Sequence, residues 1–402
     1  MKPNVTKKIF YAVLLIFSVS AVFMACSKTG MKPNGGLSTT TGNDSTAVAD
    51  TLPSFNNPAG IALDVAGNIY VADYGNNLIR KITPGGIVST VAGTGMQGSV
   101  NETGVLASFN RPAGIAVDAS GNLYIADSGN NIIREITPAG MVSTLAGSSD
   151  TTGSINGPGA TATFYDPLGI TLDVTNNIYV ADAANNLIRK ITSAGIVSTF
   201  AGVIDTNSSS GNTIPSLLNN PTGLAVDGTG NVFVAGYLSN TILEVNPVGT
   251  INTFAGTGLT GNGNGPGSSA SFYYPSGVAL DAANNVYVAD AVNNLIRKIT
   301  PSGVVSTLAG SGAAGAIDST GTAASFNGPA GLAVDAAGNV YVADTDNNLI
   351  RKITPAGVVS TIAGNGEPGA KNGLAVVRRN KKPLKYVAKA RFSLLFKKES
   401  RL

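Results

Sequence analysis

Five aspartates recur in one setting. Asp73, Asp127, Asp182, Asp290 and Asp344 each close a run such as NIYVAD, and each is followed by an arginine on the next apolar segment, at Arg80, Arg134, Arg189, Arg297 or Arg351. A ring of carboxylates is hard-donor chemistry that suits Ca²⁺, which takes roughly six to eight oxygen ligands. The same residues also read as scaffold, with each Asp accepting backbone N–H bonds in its own turn while its Arg neutralises it. Repetition favours the scaffold, because a residue used alike in nearly every copy answers to the copy rather than to one asymmetric site. One copy breaks the formula. In VAGYLSNTILEVNPVG, 234–249, Gly236 replaces the Asp, Leu243 replaces the Arg and Glu244 replaces a basic residue. Losing both charges together is what a mutually satisfied pair requires, since either one alone would be stranded. We therefore expect no resident cofactor, with Ca²⁺ at the Asp ring as the alternative.

The chain has no His and a single cysteine, Cys26. A Ser-His-Asp triad and a His-based zinc site are thereby excluded. The glutamates of the repeated region are Glu102, Glu135, Glu244 and Glu367, and of these only Glu102 falls in a long link. That is a thin supply for a carboxylate-held metal, so a metal-dependent hydrolase or lactonase stands as the alternative to a non-catalytic role. GxGxxG occurs at 93–98, 256–261, 310–315 and 364–369, yet no copy leads into a helix as a dinucleotide site demands.

The elements that position these residues come from a repeat. Aligned on the proline before each Gly-apolar run, copies begin at Pro58, Pro112, Pro167, Pro221, Pro275 and Pro329, a period of 54 or 55 residues. Each copy holds four strand-sized segments, GIALD (60–64), NIYVAD (68–73), LIRKIT (78–83) and GIVSTVAG (86–93) in the first, separated by turns rich in Asn and Gly. Such a meander cannot bury its branched side chains alone, whereas a ring of meanders packed face to face can. The expected fold is all-β, a six-bladed β-propeller of four-stranded antiparallel blades, closed by packing of the sixth blade on the first without strand exchange. Gly36 to Gly42 weakly echoes a fourth strand and is a candidate edge strand at the junction. The run Pro329 to Arg351 resembles the NHL repeat, and the resemblance spans about Pro53 to Ala370. It implies a propeller that serves as a binding module and, in fewer cases, as an enzyme. Lyase-type members that depend on His-bound metal are excluded as direct analogues by the absence of His.

In a meander, alternate connections share a face, so the VADxxNN turns lie on the rim that carries the long links between blades. Asp64, Asp118, Asp173, Asp227, Asp281 and Asp335 open the short turns of the opposite rim, where turn chemistry accounts for them. The long-loop rim is the functional candidate. Phe109, Phe164, Phe272 and Phe326 recur in the links and read as plugs between blades. Tyr165, Tyr237, Tyr273 and Tyr274 occur irregularly and offer amphipathic faces to a sugar or peptide, with ordinary loop packing as the competing reading.

The termini supply context. Residues 1–25 read as an export signal ending in FMAC, which resembles the lipobox of bacterial lipoproteins with Phe23 where Leu is usual; Cys26 is then the lipid-attachment site. Residues 26–52 read as a flexible tether and 53–370 as the propeller. From Ser27 to Ala370 there are 12 Lys or Arg against 22 Asp or Glu, an acidic body that argues against nucleic acid. Residues 371–402 form a basic tail outside the repeat, either attracted to anionic lipid or a disordered, aberrant C-terminus. Together these features predict a monomeric, lipid-anchored lipoprotein of the bacterial cell envelope, facing the periplasm or the cell surface. Its propeller is expected to bind a carbohydrate, peptide or protein, with an envelope-assembly scaffold as a further alternative.

Overall fold

The computed structural model describes residues 52–203 and 217–375. Every blade is an antiparallel meander, and the first comprises Pro58–Leu63, Ile69–Asp73, Leu78–Ile82 and Ile87–Ala92. Six such sheets follow one another along the chain, at the positions the repeat predicts. Their inner strands touch in cyclic order, the sixth (Pro329–Val334) returning to the first. The expected six-bladed propeller is the fold observed. No helix among the described residues is long and apolar enough to cross a membrane.

Period-two alternation explains how the ring is glued, because successive side chains of a strand point to opposite neighbours. Val71 packs with Ala343, Ile350 and Ala363 of the sixth blade. Its chain neighbours Tyr70 and Ala72 pack with Ile115, Leu123 and Ile125 of the second. The second strand IYVAD is consequently buried along its whole length.

Around the axis the blades meet through backbone. A Cβ on Gly60 would lie 2.4 Å from the Ala113 carbonyl, one on Gly169 1.9 Å from that of Thr222, and one on Gly331 2.2 Å from that of Ala59. The glycine of the repeated Pro-x-Gly is therefore a requirement of close strand approach.

Closure differs from the expectation. In blades three and five the preceding link adds a short outer strand, Gly157–Pro158 on Ile196–Val197 and Gly265–Pro266 on Val304–Val305. Before blade one the described residues supply no such strand, and Gly373–Leu374 from after the sixth blade pairs with Val88 and Ile87 in its place. The seam continues through Lys371, whose N–H donates to Ser54 Oγ at 3.0 Å and whose carbonyl accepts from Ser54 N–H at 3.2 Å. Strand exchange thus joins the two ends of the described fold, because an outer strand with open edge groups gains partners that the C-terminal segment supplies. The fold reaches Ala375, past the expected boundary at Ala370. The leader, Cys26, the tether with Gly36 to Gly42, and the tail beyond Ala375 lie outside the described residues.

Candidate functional site

The repeated Asp and Arg form a buried knot. Ion pairs of 2.6 to 3.0 Å join Asp73 to Arg80, Asp127 to Arg134, Asp182 to Arg189, Asp290 to Arg297 and Asp344 to Arg351, all fully buried. Asp73 Oδ1 accepts the Asn56 N–H and Oδ2 accepts Asn76 Nδ2, each at 2.8 Å. Arg134 donates further to the carbonyls of Ser108 and Val100, at 3.0 Å each, and to Asn101 Oδ1 at 2.8 Å. Its guanidinium lies 5.0 Å from the Phe109 ring centroid. The knot therefore binds a blade to the link before it, and the link phenylalanines are its apolar lids. Burial is the largest influence on these carboxyls; it raises Asp73 and Asp127 to about 6 against the lowering effect of their hydrogen bonds and Arg partners. Among the described residues no three carboxylate, thiol or imidazole side chains converge to hold a metal.

Blade four drops the knot as a unit. Leu218 and Leu243 fill the places of Phe and Arg, both fully buried. Ser239 stands at the Asn76 position and donates to the Gly236 carbonyl at 3.1 Å, with Thr241 Oγ1 2.7 Å away. No charge is stranded, as the joint loss in the sequence implied.

Above the knots, where the long-loop rim meets the axis, a second repeated device displays variable residues. The asparagine ending each VADxxNN turn adopts the left-handed conformation, from Asn77 at φ 55° to Asn348 at φ 55°. Its Oδ1 accepts the N–H of the residue before the next blade's proline. The six bonds run Asn77 to Arg111, Asn131 to Asp166, Asn186 to Asn220, Asn240 to Tyr274, Asn294 to Gly328 and Asn348 to Asn57, at 2.7 to 3.0 Å. All six N–H donors have φ between 48° and 56°. That region is easy for Gly and tolerable for Asn or Asp, but costly for Arg and Tyr. A uniform frame thus presents two Asn, an Arg, an Asp, a Tyr and one glycine around one mouth.

The mouth has two unlike arcs. On one side Ser128 donates to Asp166, and Arg111 stands near both Asp166 and the Tyr74 hydroxyl. Burial raises the Tyr74 hydroxyl, with Arg111 pulling it down and Asp166 pushing it up. On the other side Tyr237 stacks on Tyr274 with centroids 4.7 Å apart and planes at 15°, and Tyr273 tilts against Tyr274 at 4.8 Å. Burial, then the neighbouring Tyr274, Tyr273 and Asp346, push the Tyr237 hydroxyl up to about 12.

Of the sequence candidates, Tyr237, Tyr273 and Tyr274 are brought together, while Tyr165 is exposed and makes no ring contact with them. Arg111, Asp166, Tyr74 and Asp346 were not singled out by residue type. For Arg111 and Asp166 the signal was a column: the position before the repeat proline reads Asn57, Arg111, Asp166, Asn220, Tyr274, Gly328 between neighbours that hardly vary.

Five segments match the family model described as NHL repeat, residues 55–82, 109–134, 164–191, 272–299 and 326–353. These fall in the five blades that carry the knot. NHL repeat-containing protein 2 of Homo sapiens is 29% identical over 329 residues, 74% of this chain and 39% of that protein. The chain spans a quarter to two fifths of the length of the curated relatives it matches. Among solved structures, a protein of unknown function from Bacteroides thetaiotaomicron superposes with a TM-score of 0.58 at 21% identity, covering 74% of this chain and 69% of the other. An auxiliary nutrient binding protein from the same organism gives 0.57 at 16% identity, covering 77% and 70%.

Proposed function

Because the chain is an NHL-repeat β-propeller, we propose that it acts as a non-catalytic binding module. It holds a carbohydrate, peptide or protein at the mouth of its axis on the long-loop face, as a lipoprotein tethered to the bacterial envelope through Cys26. The observation that carries this reading is the ring of pre-proline residues. Arg111 and Tyr274 are held at φ 53° and 52°, where a glycine would sit without strain. Strained, solvent-facing side chains of diverse type on a rigid frame are what a recognition surface needs. The nutrient-binding role of the Bacteroides propeller accords with the reading through shared fold alone. The knot aspartates, paired with their arginines and bonded to the link before each blade, leave a hydrolase little to work with.

A soluble form beginning after Cys26, screened against envelope glycans and peptides, is expected to bind a ligand that Tyr274→Ala and Arg111→Ala release. Binding that survives both substitutions would place recognition elsewhere. Incorporation of labelled fatty acid should disappear in Cys26→Ala, and persistent labelling would refute the anchor.

A further inference from the structure

The charges at the mouth do not balance, and the residue that breaks the balance sits beside the tyrosines. Arg111 and Asp166 offset one another, and Ser128 takes one Asp166 oxygen. Asp346 has no such partner. Its side chain makes no hydrogen bond or ion pair among the described residues, and only its N–H is engaged, by the Asn327 carbonyl at 3.1 Å. The residue is exposed as a whole, yet partial desolvation of its carboxyl raises its pKa with no compensating bond. Space for it comes from its neighbour. A Cβ on Gly328 would stand 2.5 Å from Asp346 Oδ2, so the carboxylate lies in the place that Asn57, Arg111, Asp166, Asn220 and Tyr274 fill with side chains in the other blades. Blade six is thus the one whose pre-proline glycine admits an acid, and that acid acts electrostatically on Tyr237, which is stacked on Tyr274.

Deepening the binding reading above and resting on it, we propose that this arc selects a ligand bearing a substituted ammonium group, seated against the Tyr237, Tyr273 and Tyr274 cluster with Asp346 as its counter-ion. The ring quadrupole and the carboxylate attract the same charge, and among the described residues no cation pairs with that carboxylate. An anionic ligand would meet a net negative mouth.

Calorimetric titration of the soluble propeller with choline, its uncharged carbon isostere dimethylbutanol, and glucuronate tests the proposal. Choline should bind at least about fivefold tighter than the isostere, the ratio expected for roughly 1 kcal/mol of cation–π and ion-pair attraction. Asp346→Asn should reduce that preference while the unfolding midpoint stays unchanged, since no side-chain bond among the described residues is lost. Gly328→Asn, tolerable at this φ, keeps the charge but displaces the carboxylate, and should reduce it too. Glucuronate binding in preference to choline overturns the proposal and leaves the mouth as a binding site. Binding of none of the three, or equal binding of choline and its isostere, overturns it as well.

Discussion

The two rims are both ringed by aspartates, and they treat them in opposite ways. On the short-loop rim Asp64 Oδ1 accepts the N–H groups of Ala66 and Asn68, at 3.0 and 2.8 Å, and Oδ2 accepts Asn68 Nδ2 at 2.7 Å. Everything it needs lies within a few residues of chain. On the long-loop rim Asp73 is completed by Arg80, which reaches Ser54, Lys371 and Asn372 in the split link at the seam. The local device survives in blade four, where Asp227 keeps the Thr229, Asn231 N–H and Asn231 Nδ2 bonds. The long-range one does not. A self-contained turn can be inherited blade by blade, whereas a knot that spans blade and link is replaced whole or not at all.

The largest effect should come from cutting one strand of the knot. Arg134→Leu leaves Asp127 buried without its cation, and unfolding free energy by urea titration should fall by about 3–5 kcal/mol. Copying blade four completely, with Phe109→Leu, Asp127→Gly, Asn130→Ser and Arg134→Leu together, should cost less than the single change. Equal or greater loss in the combined variant would show that the knot is not a unit.

Next in size is the seam. A chain ending at Ala370 loses the Lys371 and Asn372 acceptors of Arg80, at 2.8 and 2.9 Å, and the Gly373–Leu374 pairing. Relative to a chain ending at Ala375, which keeps every described contact, about 3 kcal/mol should disappear, the scale of two hydrogen bonds to a charged donor. Equal midpoints for the two chains would mean that blades six and one close by face packing alone.

Much of this architecture was legible in the sequence, because period-two alternation, turn residues and a 54- or 55-residue repeat are all local signals. Closure was not, since its pairing partners stand at opposite chain ends. The clue was small: Asn372-Gly373 repeats the Asn156-Gly157 and Asn264-Gly265 of the added strands, inside a segment that otherwise leaves the repeat. The site was half legible. Tyr273 and Tyr274 are visible as departures from the link consensus, but their meeting with Tyr237 depends on an Asn240 bond across blades. Asp346 could not be read at all without the space that Gly328 leaves for it.

The same contrast between faces predicts a smaller effect for glycine. Gly331→Ala puts a Cβ 2.2 Å from the Ala59 carbonyl on the axis and should cost about 2 kcal/mol. Gly228→Ala, in a short-loop turn with nothing within 4 Å, should be neutral or gain a few tenths of a kcal/mol. Thermal unfolding of the pair checks it, and similar losses at both would mean that the inner strands have room to separate.

The smallest effect is the response to acid, where the two rings have opposite signs. Burial works against ionisation of Asp118, Asp227 and Asp335, but the Asn122, Asn231 and Asn339 side chains and the backbone bonds outweigh it and leave these carboxyls below 3.8. Their contribution to stability is therefore present above that unfolded value and lost as pH falls through the lower folded one. Asp73 and Asp127, raised to about 6, hold their protons more tightly when folded, so their contribution is largest at low pH and is lost as pH rises through about 6. Acidification from neutrality should first leave the unfolding midpoint level or slightly higher, and lower it only below about pH 4. Replacing half of the short-loop ring, with Asp118→Asn, Asp227→Asn and Asp335→Asn, should remove about half of that acid loss. An unaltered acid limb in the triple variant would assign the loss to the long-loop face, and with it reverse the division of labour between the rims.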